Sequence, residues 1–269
     1  MTATTVPSSL GSAQRWGPLW GHRARDWAEA EAHQEPAYRA VLDRLALRPS
    51  ARLLDVGCGA GTFLALAAAR GVRVAGVDAS PALVELARRR VPGADVRVGD
   101  LQFLPDAEAT FDAVTGLTSF FFAQDMVAAL REAGRVAKPG APVVVEVFGA
   151  PERCDLEAVK AIIRPYLPAP PPGAPAAPQL WRPGALEALA AAAGLQVVDA
   201  YCVAYDTDYP DAATLGRLML SPAGLAKLVG PAREDAVRRE IVDALAPQRR
   251  PDGSYRLHTE MRHVVITHA

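Results

Sequence analysis

Leu53-Leu54-Asp55-Val56-Gly57-Cys58-Gly59-Ala60-Gly61-Thr62-Phe63 joins a short apolar run to three alternating glycines and then to an alanine-rich stretch. The run predicts a buried strand, the glycines a turn, and the segment from Phe63 to Arg70 a helix. Strand, glycine turn and helix make a nucleotide-binding crevice. Glycine admits close backbone approach, and the helix start presents free N–H groups. The nicotinamide fingerprint needs its third glycine three residues after the second, where this chain carries Thr62. That spacing argues against a nicotinamide dinucleotide.

Working outward, strand and helix signals alternate. Strands are expected at Arg52–Val56, Val72–Val77, Asp95–Val98, Phe111–Thr115 and Pro142–Phe148. Helices fall between them; Ser80-Pro81 is an N-cap followed by proline at the first helical position, and Lys138-Pro139-Gly140 closes another. The alternation predicts an α/β fold, a Rossmann-like, doubly wound and mostly parallel sheet with right-handed crossovers. Strand 6 is expected at Leu195–Ala204 and a long final strand at Tyr255–Thr267. Between them, residues 211–246 read as helices broken at Pro222 and Gly230-Pro231.

The flanks are less regular. Thr, Ser, Gly and Pro dominate residues 1–21, and the first dozen are expected to be disordered. Trp16, Trp20 and Trp27, three of the four tryptophans, then crowd a segment that should dock on something apolar. From Arg23 to about Ala46 the pattern is helical with a break near Pro36. Eight prolines in Arg164–Pro183 predict an extended loop. The expected organisation is a tail and helical cap over 1–50, then a cofactor-binding domain over 51–269. Lid-like insertions are expected at about 150–182 and 209–250.

Bulk properties exclude several classes. At 269 residues the chain can bury one large core. Net charge is −1, which offers nothing to nucleic acid or an acidic membrane. Cys58, Cys154 and Cys202 are odd in number and scattered, so neither a disulfide framework nor a zinc site is expected. The first 30 residues show no secretory signal and no apolar run is long enough to span a bilayer. A cytoplasmic, bacterial protein without metal is the expectation.

Two carboxylates extend the glycine turn into a constellation. Asp78, 78 − 57 = 21 residues beyond Gly57, ends the second strand and can accept both hydroxyls of a ribose. Asp100, in Gly99-Asp100-Leu101-Gln102 after the third strand, can accept from an adenine amine while Leu101 packs on the ring.

With these residues in hand the chain resembles the class I S-adenosylmethionine-dependent methyltransferases, in particular their small-molecule group. Four blocks carry the likeness in order: LLDVGCGAGTF, VAGVDASPALVELARRR, VRVGDLQFLPDAEATFDAV and ALREAGRVAKPGAPVVVEV. The resemblance implies a seven-stranded sheet with an antiparallel last strand, S-adenosyl-L-methionine as cofactor, and methyl transfer to an O, N or C atom of a small, partly apolar or aromatic metabolite. It implies that Asp55, Gly57, Cys58 and Gly59 line the methionine and ribose end, and that Asp78 and Ala79 hold the ribose. Asp100, Leu101 and Gln102 would take the adenine, and Leu117 would offer backbone to the methionine amine. Ala141 departs from the family's usual second glycine after Lys-Pro-Gly. A protein that binds the cofactor without transferring methyl, a regulator or a cyclase, would carry the same motifs.

The acceptor side is less defined. No Asn/Asp-Pro-Pro-Tyr follows strand 4, so nucleic-acid amines are not expected as acceptors, and no Asp/His cluster stands ready for magnesium. Phe120, Phe121, Phe122 and Phe148, with Tyr205, Asp206, Asp208 and Tyr209, gather at the carboxyl edge as wall or core. Trp27 and His22 could close the top. His258 and Glu260, at the start of an antiparallel last strand, are the candidate bases, whereas His263 and His268 should lie far from the pocket. Monomer and homodimer are equally open.

Overall fold

The computed structural model describes residues 11–167 and 179–268. The expected disorder of the first dozen residues therefore falls mostly outside the described residues, as does most of the proline-rich loop. Three helices come first: α1 (Gly11–Gly21), α2 (Ala24–Ala32) and α3 (Glu35–Leu45). The α1 helix was not expected, since its sequence holds Pro18 and three glycines. Packing supplies what propensity lacks: a Cβ on Gly17 would stand 2.3 Å from the carbonyl oxygen of Ala79.

Strands and helices then alternate: β1 (Arg52–Val56), α4 (Thr62–Ala68), β2 (Arg73–Asp78), α5 (Pro81–Arg90), β3 (Asp95–Val98), β4 (Ala113–Leu117), α6 (Met126–Val136) and β5 (Val143–Phe148). The α5 helix starts where the capping signal lies: Ser80 Oγ accepts from Leu83 N at 3.3 Å. The β4 strand begins two residues later than the apolar run suggests, because Phe111 bridges to Ala137 and packs as core.

The second half comprises α7 (Leu156–Ile163), α8 (Ala185–Ala192), β6 (Leu195–Tyr209), α9 (Ala212–Met219), α10 (Leu225–Val229), α11 (Pro231–Ala244) and β7 (Tyr255–His268). The sheet runs β3-β2-β1-β4-β5-β7-β6, with β7 antiparallel to both neighbours and the other pairs parallel. One core lies under α6 and α8, and a second under α3, α4 and α5. This is the doubly wound architecture that alternating signals predict.

The last hairpin is longer than expected. The β6 strand continues past Ala204 to Tyr209, held by the cross-strand pairs Asp208–Arg256 and Asp206–His258. Because β5 pairs with β7 only from Met261 to Ile266, both hairpin arms project beyond the carboxyl edge of the sheet. Residues of α7, α9, α10 and α11 pack with Tyr209, Tyr255 and Leu257 into one further apolar cluster there. The two inserted segments thus share a core. No helix among the described residues is long and apolar enough to cross a membrane.

Candidate functional site

The glycine turn follows β1. Gly57 sits at φ 81°, and a Cβ there would stand 2.3 Å from Ser119 Cβ, so only glycine fits. Gly57 N and Cys58 N both donate to Val77 O, at 2.7 and 3.1 Å, which ties the turn to the end of β2. One residue on, Asp78 accepts from Gly59 N at 2.9 Å and from Ser80 N at 2.8 Å. Its carboxylate braces the turn and the start of α5 together. Asp55 reaches Thr115 Oγ1 at 2.7 Å, and Asp100 accepts from Gln102 N at 2.9 Å.

These groups surround one cleft. Among the sequence-predicted residues Asp55, Gly57, Cys58, Gly59, Asp78, Ala79, Asp100, Leu101, Leu117 and Trp27 all line it. Gln102 does not: its Oε1 accepts from Asp125 N at 2.9 Å at the rim instead. The cap forms the outer wall. Trp16 meets Phe122 edge-on at 4.8 Å, and Trp20 meets Trp27 at 4.6 Å. Free space between the walls is about 70 Å³.

Two cap contacts had no sequence signal. Ser12 Oγ and Ala13 N both reach the Asp100 carboxylate. Glu31, 2% exposed, accepts from Ala60 N at 2.8 Å and Thr62 N at 3.1 Å. Burial raises Glu31 to about 7, against lowering by those two backbone bonds and by Arg90. Burial likewise raises Asp55 to about 8, its bond to Thr115 lowering it in part, and pushes Asp78 up. Burial thus makes all three carboxylates resist carrying charge.

The acceptor-side residues divide. Phe120 is fully buried against Gly116 as core, whereas Phe122 lines the cleft. His258 and Glu260 stand outside the cleft, which corrects their expected placement. In β7 the odd-numbered residues from Tyr255 to Thr259 turn inward, so His258 and Glu260 face the other way by the two-residue period. His258 Nδ1 lies 2.8 Å from Asp206 on the outer surface, and Glu260 pairs with Arg153 at 2.9 Å. His263 does not line the cleft either. It is in register with Glu146 of β5, and its Nε2 lies 2.7 Å from Glu146 Oε2 with both side chains fully buried. Glu146 neighbours Leu117 across the ladder, so this pair lies beside the cleft floor.

Residues 54–145 match the methyltransferase domain family model. A demethylmenaquinone methyltransferase of Beutenbergia cavernae is 40% identical over 121 residues, 45% of this chain and 50% of the relative. A 27-O-demethylrifamycin SV methyltransferase of Amycolatopsis mediterranei is 36% identical over 143 residues, 48% of this chain and 53% of the relative. The chain spans about half the length of these curated relatives. In fold it is similar to a putative methyltransferase of Bacillus halodurans, with TM-score 0.57 at 15% identity over 85% of this chain and 97% of that one. Over residues 54–145 the chain is therefore similar to the methyltransferase domain family, and the likeness to these relatives is confined to about half of each chain.

Proposed function

We propose that the protein transfers the methyl group of S-adenosylmethionine to an O, N or C atom of a small, partly apolar or aromatic metabolite. The observation that carries this reading is the convergence of the Gly57–Gly61 turn, Asp78 and Asp100, from three adjacent strand ends, on one aromatic-walled cleft. Relatives named as methyltransferases of demethylmenaquinone and of 27-O-demethylrifamycin SV support a small-molecule acceptor.

The lining residues fit this cofactor. Asp78 has a lone pair free on each oxygen beyond its bonds to Gly59 N and Ser80 N, enough for two ribose hydroxyls. Asp100 offers a carboxylate to the adenine amine, with Leu101 and Ala79 against the ring and sugar. Leu117 presents backbone, and Asp55 a buried carboxylate, to the methionine ammonium. When bound, the cofactor supplies an electrophilic methyl on a sulfonium, a good leaving group without acid assistance. The chain's own work is to align the acceptor and exclude water, for which Trp27, Trp20 and Phe122 provide the cover.

On this reading residues 1–50 are tail and cap, residues 51–269 hold the cofactor, and the inserted helices wall the acceptor. We place the protein in the cytoplasm with no nucleic-acid or membrane partner, in keeping with its net charge of −1. The test is incubation with S-adenosylmethionine and a panel of phenols, hydroxyquinones and amino sugars, with S-adenosylhomocysteine read by mass spectrometry. Acceptor-dependent product supports transfer. Tight cofactor binding with no product from any acceptor favours a non-transferring protein of the same fold.

A further inference from the structure

Glu31 lies outside the matched 54–145 stretch and outside every motif of the sequence, yet α2 places it against the cofactor wall. A Cβ on Gly59 would meet the Glu31 carboxyl carbon and both its oxygens at 3.3 Å. The carboxylate therefore rests on the face of the turn assigned to the methionine end. Its surroundings are short of positive charge. Asp55 on β1 and Asp78 on β2 are its carboxylate neighbours, while Tyr38 on α3 and Cys58 on the turn are kept neutral by burial. Arg90 of α5 stands 3.9 Å away, its Nη1 donating to Ala60 O and Thr62 Oγ1 rather than to Glu31, so its charge offsets the burial of Glu31 only in part. From the inserted helices, Arg217 engages Asp26 and Glu29 of the same α2 helix.

We propose that Glu31 is a specificity-determining residue that makes the site favour the sulfonium cofactor over the thioether left after transfer. The proposal rests on the methyltransferase reading. In that reaction the acceptor atom forms a bond to the methyl carbon and the carbon–sulfur bond breaks, its electron pair remaining on sulfur. The bound molecule thereby loses one positive charge while keeping its ammonium, carboxylate, ribose and adenine. Besides the lost methyl itself, the sulfur charge is what distinguishes the two, and a buried carboxylate beside the site senses it. Since Glu31 belongs to the cap, the contact that tightens the cap on the loaded site weakens once the methyl has gone. Loss of charge then favours release of product.

Glu31 discriminates only when ionised. Burial brings its titration to about 7, so preference for the sulfonium is strong on the alkaline side and fades on the acid side. The arriving cation favours the ionised form and extends the range downward.

The test is calorimetric titration of the full chain with S-adenosylmethionine and with S-adenosylhomocysteine, at about pH 8 and about pH 6. The ratio of their dissociation constants is the readout. In Glu31→Gln at about pH 8 the ratio should shift toward the thioether by about tenfold, with affinity for S-adenosylhomocysteine within about threefold of the parent. Glu31→Asp should restore part of the preference, and Glu31→Ala carries the same expectation as glutamine if that variant fails to fold. An unchanged ratio in the uncharged variants overturns the proposal, as does a parent ratio that is the same at both pH values. If neither ligand binds the parent chain, the cofactor reading itself fails, an outcome distinct from an unchanged ratio.

Discussion

Ser12 Oγ lies 3.0 and 2.9 Å from the two carboxylate oxygens of Asp100, and Ala13 N donates to the same carboxylate at 2.7 Å. The first cap helix thus occupies the group assigned to the adenine amine. Hydroxyl and amine compete for one acceptor. Ser12→Ala should tighten binding of S-adenosylhomocysteine by about threefold, the effect of removing one modest hydrogen bond from the ligand-free state. Calorimetry checks this; a tenfold loss would show that Ser12 helps to hold the ligand instead.

The Glu146–His263 pair makes a stability prediction. Both side chains are fully buried, and Tyr201 stacks on His263 with ring centroids 4.7 Å apart. His263→Ala leaves a carboxylate buried without a partner, which costs about 3–5 kcal/mol. Urea unfolding should register a loss of that size, and a change below about 1 kcal/mol would contradict the burial described.

Stability should fall as pH rises through neutrality to about 8. Glu31 and Asp55 are raised from 4.5 and 3.8 to about 7 and about 8, mainly by burial. The native state therefore binds more protons than the unfolded chain over that interval. Their stabilising effect is full below the unfolded values and is lost as pH climbs through the folded ones. The Tm of the ligand-free protein should drop between about pH 5 and about pH 8 and level off above, and Glu31→Gln should flatten part of the drop. A Tm that rises over this range would contradict the assignment.

Arg217 ties the cap to the inserted helices through Asp26 at 2.7 Å and Glu29 at 2.8 Å. Such partly exposed pairs contribute about 0–1 kcal/mol, so Arg217→Ala should barely alter global unfolding. It should instead speed hydrogen exchange in Ala24–Ala32 several-fold. Unchanged exchange there would mean that the apolar contacts alone hold α2 down.

The sheet and the groups that line the cleft were legible because they rest on local patterns. The apolar run 53–56, the alternating glycines and the acid at position 78 each declare themselves over short spacings. What the chain conceals is the meeting of distant segments. Nothing around Ser12 or Glu31 marks them as partners of Asp100 and Ala60, because their positions follow from how α1 and α2 cross the rim. The α1 helix itself was obscured by Pro18 and its glycines, whose cost is offset by packing on Ala79. His258 and Glu260 were misplaced by a choice of strand face, which a periodicity of two cannot settle without knowing which parity is buried.

The central claim is that the cleft holds S-adenosylmethionine with its ribose on Asp78. Calorimetric titration of the parent chain and of Asp78→Ala with S-adenosylhomocysteine tests it most directly, with circular dichroism to establish that the variant is folded. The parent should bind one-to-one, and the variant at least about tenfold more weakly through loss of two charge-assisted hydrogen bonds. Equal affinity in the two proteins, or no binding by the parent, would contradict it.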